Sequence, residues 1–140
     1  MSDLLDTCIV SELVKNRPRR EVVQWVNRQD ETNLHLSVIT LGEVRKGIAR
    51  LAPSRRRQAL EDWLEHDLRG RFRGRILDVN ASVADQWGLI SARCEQAGRT
   101  VPVLDALIAA TAVVWNLRVV TRNTPHMQAT GVRLLDPWEG

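Results

Sequence analysis

The sequence predicts an α/β protein, built as a three-layer sandwich in which a mostly parallel sheet lies between layers of helices. Two observations support this fold class. Short apolar runs alternate with helix-spaced apolar patterns along the whole chain, and strands separated by helices require crossover connections. The length of 140 residues fits one domain with a single sizeable core. Because no repeat, low-complexity tract or linker interrupts the pattern, residues 1–140 are expected to form one domain.

The predicted sheet contains five short strands, which are runs rich in apolar residues. The first strand ends at Asp6, and the fourth leads directly into the polar segment 122–125. The third strand has the weakest pattern. In chain order the predicted strands are Leu4–Leu5, Leu34–Ile39, Ile76–Val79, Arg118–Thr121 and Val132–Leu135.

Four helices are expected in the first half of the chain, where apolar residues recur at spacings of three and four. The first begins with Thr7 as its N-cap, and the second follows Pro18. The third begins with Thr40 as its N-cap and ends at Pro53. The fourth runs from Ser54 to an arginine-rich segment, residues 69–75, that is expected to be a loop. The apolar residues that mark these helices are Ile9, Val10 and Leu13; Val22, Val23 and Val26; Leu41, Val44, Ile48 and Leu51; and Leu60, Trp63, Leu64 and Leu68.

Two longer helices are expected in the second half. The fifth is closed by Gly98, at a position where a left-handed residue commonly ends a helix. The sixth opens at Pro102, runs from Val103 to Trp115 and ends at Asn116. Since the sixth helix is apolar on nearly all sides, we expect it to be central and buried. The apolar residues that mark the fifth helix are Val83, Trp87, Ile90 and Cys94.

The composition is that of a soluble globular protein, with 44% hydrophobic and 26% charged residues. The longest apolar run, residues 106–115, has about half the length that a bilayer requires. The N-terminus lacks the pattern of an export signal. The two cysteines, Cys8 and Cys94, have no metal-ligand spacing and are expected to be reduced. A cytoplasmic protein without a membrane segment is the resulting prediction.

The basic residues are unusual in kind, because 18 of the 20 are arginine, although the formal net charge is only +3. A GC-rich genome would produce this bias, but the planar guanidinium also suits phosphate recognition. Three arginine clusters are candidates for nucleic-acid contact. In the third, Arg71 and Arg73 flank Phe72, which would allow phosphate contact together with base stacking. The clusters are Arg17, Arg19 and Arg20; Arg55, Arg56 and Arg57; and Arg69, Arg71, Arg73 and Arg75.

Three acids and one asparagine fall at comparable points of the predicted fold. Asp6 follows the first strand and Asn123 follows the fourth. Glu43 and Asp105 lie in the first turns of helices. In a parallel α/β sheet these points line the crevice beyond the carboxyl ends of the strands. We therefore expect the four side chains to lie near one another at that edge.

Each acid taken singly has an ordinary structural explanation. Asp6 could accept hydrogen bonds from the turn that follows it, and Asp105 could stabilise a helix N-terminus. Glu43 could complete a Thr-x-x-Glu capping box with Thr40. Together, however, the acids repel one another unless a cation neutralises them, which predicts a divalent metal. Oxygen-only ligands and scattered histidines favour Mg²⁺ or Mn²⁺ over Zn²⁺.

Four segments in this order resemble the PIN-domain family, and within it the VapC and FitB-like toxins of type II toxin-antitoxin modules. The similarity spans nearly the whole chain, including the closing Asp136–Trp138. It implies a PIN-like fold and a metal-dependent endoribonuclease that hydrolyses RNA with a metal-activated water. It also implies a homodimer held inactive by a cognate antitoxin. The segments are Leu4–Thr7 with Ser11–Leu13, Ser37–Ile48, Asp105–Ala112 and Val119–Asn123.

The resemblance also assigns roles to individual residues. It implies that the metal ligands are Asp6, Glu43 and Asp105, and that Asn123 stands where many members have a fourth catalytic acid. Thr7 and Thr121 match the hydroxyl residues that support these ligands. Cys8 departs from the family's usual Asp-Thr-Asn opening. RNA contact is expected at Arg45, Arg71, Arg73 and Arg122.

Other functions fit the sequence less well. A phosphoaspartyl enzyme of the haloacid-dehalogenase type needs an aspartate two residues after the first, where this chain has Cys8. Thiol chemistry at Cys8 would need a base, and no histidine lies near it in the sequence. A 5′-nuclease acting on DNA normally needs an insertion that this chain lacks. The alternative that stays open is a catalytically inactive PIN-like module that binds RNA or a protein.

Overall fold

The computed structural model describes residues 2–139 and contains a five-stranded sheet in which every neighbouring pair is parallel. The strand order is β3-β2-β1-β4-β5. This architecture confirms the predicted α/β class with a parallel central sheet. The strands are β1 (Asp3–Leu5), β2 (Leu34–Ser37), β3 (Ile76–Leu77), β4 (Arg118–Val120) and β5 (Leu134–Leu135).

The strand order reverses beside β1, at the centre of the sheet. From β1 the chain adds β2 and β3 on one side, and it then returns to pair β4 with the other side of β1. The register aligns Leu5 with Val120, and the Asp6 N–H donates to the Val120 carbonyl at 2.9 Å. Asp6 and Thr121 therefore leave adjacent strands side by side. Such a reversal opens a crevice at the carboxyl edge of a parallel sheet.

Helices cover both faces of the sheet. A π-helical segment, Trp63–Leu68, continues directly from α4 into α5, and short 3₁₀ turns occupy Glu31–Asn33 and Gln128–Thr130. The helices are α1 (Thr7–Leu13), α2 (Arg20–Arg28), α3 (Val38–Ala49), α4 (Arg55–Asp62), α5 (Arg69–Arg71), α6 (Ala81–Gln96), α7 (Val103–Trp115) and α8 (Thr124–Met127).

Alternating side chains of the central strands divide the core into two clusters, one on each face. Leu5 and Val120 pack in the cluster formed with α1, α2, α3 and the π-helical segment. Leu4 and Val119 pack in the opposite cluster with α6, α7 and α8. The three layers predicted from the sequence are thus helices, sheet and helices.

The starts of two helices differ from the prediction. Asp6, not Thr7, is the N-cap of α1, because its carboxylate accepts the Thr7 N–H. Ser37, not Thr40, caps α3, because its hydroxyl accepts the Ile39 N–H at 3.0 Å and the chain turns helical three residues earlier. Strand β2 accordingly ends at Ser37 instead of Ile39. A short side chain that can cap was available at both strand ends.

The predicted arginine-rich loop, residues 69–75, begins as the helix α5. Phe72 is only 3% exposed and belongs to the core, so the prediction that it stacks on RNA bases is wrong. Arg75 lies over its ring, 5.0 Å from the centroid, and donates to the carbonyls of Glu31 and Leu34. This part of the arginine cluster is structural, because Arg75 ties the loop to the segment that enters β2.

Helix α7 is not buried on all sides as predicted. Ile108, Ala109 and Ala112 face the sheet and are buried, but Val103 and Trp115 are 60% and 51% exposed. The helix lies in an outer layer, and its outer apolar face is exposed to solvent because none of the described residues covers it. Among residues 2–139, no helix combines the length and the apolar character that crossing a membrane would require.

Candidate active site

The carboxyl edge of the sheet holds the residues that the sequence singled out. Asp6 follows β1, is 3% exposed, and is the first residue beyond the strand. Thr121 follows β4 and is fully buried. Glu43 is half-buried on α3, and Asp105 is half-buried in the first turn of α7. The chain enters these helices from the carboxyl edge, which brings both acids to the crevice.

Three donors orient the Asp6 carboxylate. Its Oδ1 accepts the Thr7 N–H at 2.8 Å, which is the helix-capping bond. Its Oδ2 accepts the Thr121 hydroxyl at 2.7 Å and faces the Cys8 Sγ at 3.8 Å. The Thr121 oxygen also accepts the Asn123 N–H at 2.9 Å. The structural explanation for Asp6 as a cap is therefore correct, and the same contacts fix its carboxylate at the crevice.

Glu43 is held by a hydroxyl from another element. The Thr7 Oγ1 donates to the Glu43 Oε1 at 2.6 Å and lies 3.1 Å from the Thr40 Oγ1. Because a hydroxyl has one hydrogen, the shorter bond takes the Thr7 proton and leaves the second contact to a proton from Thr40. The capping-box interpretation of Thr40 and Glu43 is wrong, since Thr40 is not the cap of α3. Thr40, fully buried, is a supporting residue that the sequence analysis missed.

The pKa of Asp105 is raised above its ordinary value, first by burial and then by the negative charges of Asp6 and Glu43. The electrostatic interaction with His126 opposes this shift and lowers the pKa. The three acids are thus close enough to repel one another. His126, on α8, was counted only as one of the scattered histidines, and its position three residues after Asn123 was the signal that could have placed it here.

The donor set suits a divalent cation of the Mg²⁺ type, because all three acids offer oxygen and their mutual repulsion favours a positive ion between them. The three carboxylates lie farther apart than the ligands of a bound metal ion would. Within residues 2–139, no three His, Cys, Asp or Glu side chains come close enough together to constitute a metal site. The charges of Asp6 and Glu43 act on Asp105. Hydrogen bonds from Thr7 and Thr121 orient the carboxylates of Glu43 and Asp6.

Comparison with known proteins decides the family. The model of the family described as PIN domain matches residues 4–130. The chain is a PIN domain. It is 34% identical over 136 residues to the VapC ribonuclease Y4jK of Sinorhizobium fredii, covering 97% of each chain. It is 34% identical over 135 residues to toxin FitB of Neisseria gonorrhoeae, covering 96% of this chain and 97% of that protein. The crystal structure of FitAcB from the same organism superposes with a TM-score of 0.95 at 33% identity over 99% of both chains.

Cys8 gives this PIN domain a thiol beside its central carboxylate. The Sγ lies 3.6 Å from the Thr121 Oγ1 and accepts the Arg122 N–H at 3.4 Å. Burial and, after it, the charge of Asp6 raise the pKa of Cys8 to about 11. The side chain therefore stays a neutral thiol at neutral pH, which removes thiolate chemistry as an alternative. It contributes a weak hydrogen bond at the junction of β1 and β4.

The four arginines expected to bind RNA occupy different positions on the PIN domain. Arg45, two residues after Glu43, forms an ion pair with Glu65. Arg71 forms an ion pair with Glu31, which precedes β2. Arg73 lies in the segment that enters β3, and in a parallel sheet that is the edge opposite the crevice. Arg122, between Thr121 and Asn123, is exposed at the crevice edge itself.

Proposed function

We propose that this PIN domain is the ribonuclease toxin of a type II toxin-antitoxin pair, and that it hydrolyses RNA phosphodiester bonds with Mg²⁺ or Mn²⁺. One observation carries the proposal: Asp6 and Glu43 lie near Asp105 at the sheet reversal, close enough to raise its pKa. The names of its relatives, a VapC ribonuclease and toxin FitB, support the same activity. Both similarities extend over almost the whole chain.

Asp6, Glu43 and Asp105 are the residues that would hold the metal. The chemistry that a bound divalent ion supplies is a water of lowered pKa and neutralisation of the charge that develops on the leaving oxygen. The chain contributes orientation: Thr121 holds the Asp6 Oδ2 and Thr7 holds the Glu43 Oε1. Hydroxyl donors fix a carboxylate without neutralising its charge, which leaves that charge for the cation.

Asn123 would serve as the fourth catalytic residue. Its backbone N–H is bonded to Thr121, and its side chain makes no capping bond although it precedes α8. Its amide would orient a water or a phosphate oxygen beside the acids. With only three carboxylates, the site would hold one divalent ion firmly, and a second ion would need oxygens from the RNA phosphate.

The partners we propose are an RNA substrate, a cognate antitoxin that covers the crevice, and a second copy of the chain. The relative named VapC ribonuclease supports the RNA substrate, and the relative named toxin FitB supports the antitoxin, since a toxin that cuts RNA requires control. The exposed apolar residues of α7, which include Val103, Leu104 and Trp115, support a further protein contact. Action on RNA would place the protein in the cytoplasm.

The test is cleavage of single-stranded RNA by the purified chain with and without divalent ions. Asp6→Asn, Glu43→Gln and Asp105→Asn are each expected to abolish cleavage and retain the fold. Asp85→Asn is the matched control, because Asp85 is an exposed acid on α6. The products should carry 5′-phosphate and 3′-hydroxyl ends. Full activity in excess EDTA would refute metal dependence, and RNA binding without any cleavage would favour the inactive binding module.

A further inference from the structure

The Arg122 guanidinium is free of acceptors at the edge of the crevice. Within residues 2–139 it forms no ion pair and no side-chain hydrogen bond, and it lies over the Trp138 ring, 5.3 Å from the centroid. A cation over an aromatic face keeps its N–H groups at the periphery free. By contrast, Arg45 and Arg71 already direct theirs to Glu65 and Glu31.

One carboxylate that interacts with the charge of Arg122, that of Glu12, is already occupied by other donors. Glu12 on α1 is 3% exposed and accepts the Lys15 ammonium at 2.9 Å and the Arg19 N–H at 2.9 Å. Its pKa is lowered, chiefly by the bond from Lys15, and the charge of Arg122 makes a smaller contribution. Arg122 therefore lies near Glu12 without using its hydrogen-bonding edge on it. That edge remains available to an anion from outside.

Trp138 is itself fixed to the strands that carry the site. Its side chain packs against the core cluster, and its backbone N–H donates to the Asp136 Oδ1 at 2.8 Å. Leu135 ends β5, three residues before Trp138, and its carbonyl accepts the Thr121 N–H at 2.9 Å. Thr121 is thus bonded both to the Asp6 carboxylate and to the strand that leads to Trp138, which places Trp138 beside the acids.

We propose that Trp138 is a positioning residue that holds Arg122 as a clamp for a backbone phosphate of the RNA strand, next to the phosphate that is cut. This inference rests on the proposed function and adds a substrate contact to it. A guanidinium binds a phosphate with two parallel hydrogen bonds, and a stacked guanidinium has already lost part of its rotational freedom. Because every nucleotide carries the same phosphate, the clamp would raise affinity without selecting a base.

The experiment measures the affinity of the full chain for a mixed-sequence single-stranded RNA over a KCl titration, in an Asp105→Asn background that does not cut it. Arg122→Ala is expected to weaken binding by about tenfold. It should also make the slope of log K against log salt shallower by about 0.7, the value for one phosphate contact on a single strand. Arg28→Ala is the control, because Arg28 is an exposed arginine at the end of α2, shortly before β2 begins, and the strands of a parallel sheet begin at the edge opposite the crevice.

The pair is tested by combining substitutions. Trp138→Ala should weaken binding in the parent chain and add nothing once Arg122 is alanine, whereas Trp138→Phe should restore most of the affinity. Arg122→Lys keeps the positive charge but loses the planar guanidinium that stacks on Trp138. This variant should therefore bind RNA less tightly, with an almost unchanged salt slope. In the cleaving chain, the loss in kcat/KM should come mainly from KM. Urea unfolding of each variant checks that Trp138→Phe preserves the core.

Three results would overturn the clamp. The first is that Arg122→Ala changes neither the RNA affinity nor the salt slope while the parent chain still cuts RNA. That result would leave the proposed function intact. The second is additive effects of Arg122→Ala and Trp138→Ala. The third is a loss of inhibition by the antitoxin with RNA binding unchanged, which would assign Arg122 to a protein partner. Failure of the parent chain to cut any RNA would contradict the proposed function, and the binding series would still test the clamp.

Discussion

Replacing Thr121 with valine tests how the site is oriented. Thr121 is 0% exposed, and valine has nearly the same shape, so packing is preserved and only the hydroxyl is removed. Asp6 Oδ2 would lose its 2.7 Å donor and retain only the weak thiol contact at 3.8 Å. The Asn123 N–H would lose its acceptor at 2.9 Å. Removing this one oxygen atom therefore affects both Asp6, a proposed metal ligand, and Asn123, the proposed fourth catalytic residue.

The magnitude follows from these two bonds. A hydrogen bond to a charged group contributes about 1.5–3 kcal/mol, and the second, partly exposed bond contributes about 0.5–1 kcal/mol. We expect Thr121→Val to lower the free energy of unfolding by about 2–4 kcal/mol without metal. Loss of such a supporting contact typically weakens metal binding by about 10–100-fold. The Mg²⁺ concentration for half-maximal cleavage should rise accordingly.

Urea denaturation and a Mg²⁺ titration of cleavage measure the two effects. Thr111→Val is the matched control, because Thr111 is also fully buried and its hydroxyl only donates back to the Leu107 carbonyl within α7 at 2.8 Å. Removing that bond should cost less than about 1 kcal/mol. Thr121→Ser keeps the donor and should retain most of the metal affinity. Equal losses for Thr121→Val and Thr111→Val, or an equal loss for Thr121→Ser, would refute the reasoning.

Two further predictions concern the charge of the site. Because the native pKa of Asp105 is raised, the folded state binds more protons than the unfolded chain between the ordinary pKa and the raised one, so metal-free stability should fall as pH rises through that window. Urea unfolding measured from acidic to neutral pH gives this fall in stability. Asp105→Asn should make the fall smaller, and a rise in stability over the same pH window would contradict the prediction. Asn123→Asp adds a fourth carboxylate and should lower the Mg²⁺ concentration for half-maximal cleavage, whereas a higher requirement would show that the amide has another role.

Local sequence patterns were sufficient to predict the layers and the edge of the sheet. Strand β1 contains Asp3 and two apolar residues, and because side chains alternate along a strand, Leu4 and Leu5 join the core clusters on opposite faces of the sheet. The crossover pattern predicted a mostly parallel sheet, in which residues that follow strands meet at one edge, and in the structure every neighbouring pair of strands is parallel. The position of Asp6 at the sheet reversal followed from these rules together with the strand order.

Contacts between distant segments were beyond local patterns. Thr7 and Glu43 are 36 residues apart, and their bond exists because β1 and β2 are neighbours in the sheet. Phe72 looked exposed among arginines, but the helical turn α5 rotates it into the core. The helix start at Ser37 depended on a choice between two hydroxyl residues three positions apart, which propensity alone does not decide.

The distribution of arginine gives a further argument for a cation at the crevice. The chain has 18 arginines, and guanidinium groups pair with acids in many places, including Asp3 with Arg118 at 2.8 Å. Within residues 2–139, however, no arginine or lysine pairs with Asp6, Glu43 or Asp105. Hydroxyl, thiol and backbone N–H groups bond to the first two instead. An arginine paired with one of these acids would have countered the repulsion that, after burial, raises the pKa of Asp105, so the lack of such a pair among the described residues keeps the negative charge available for a metal ion.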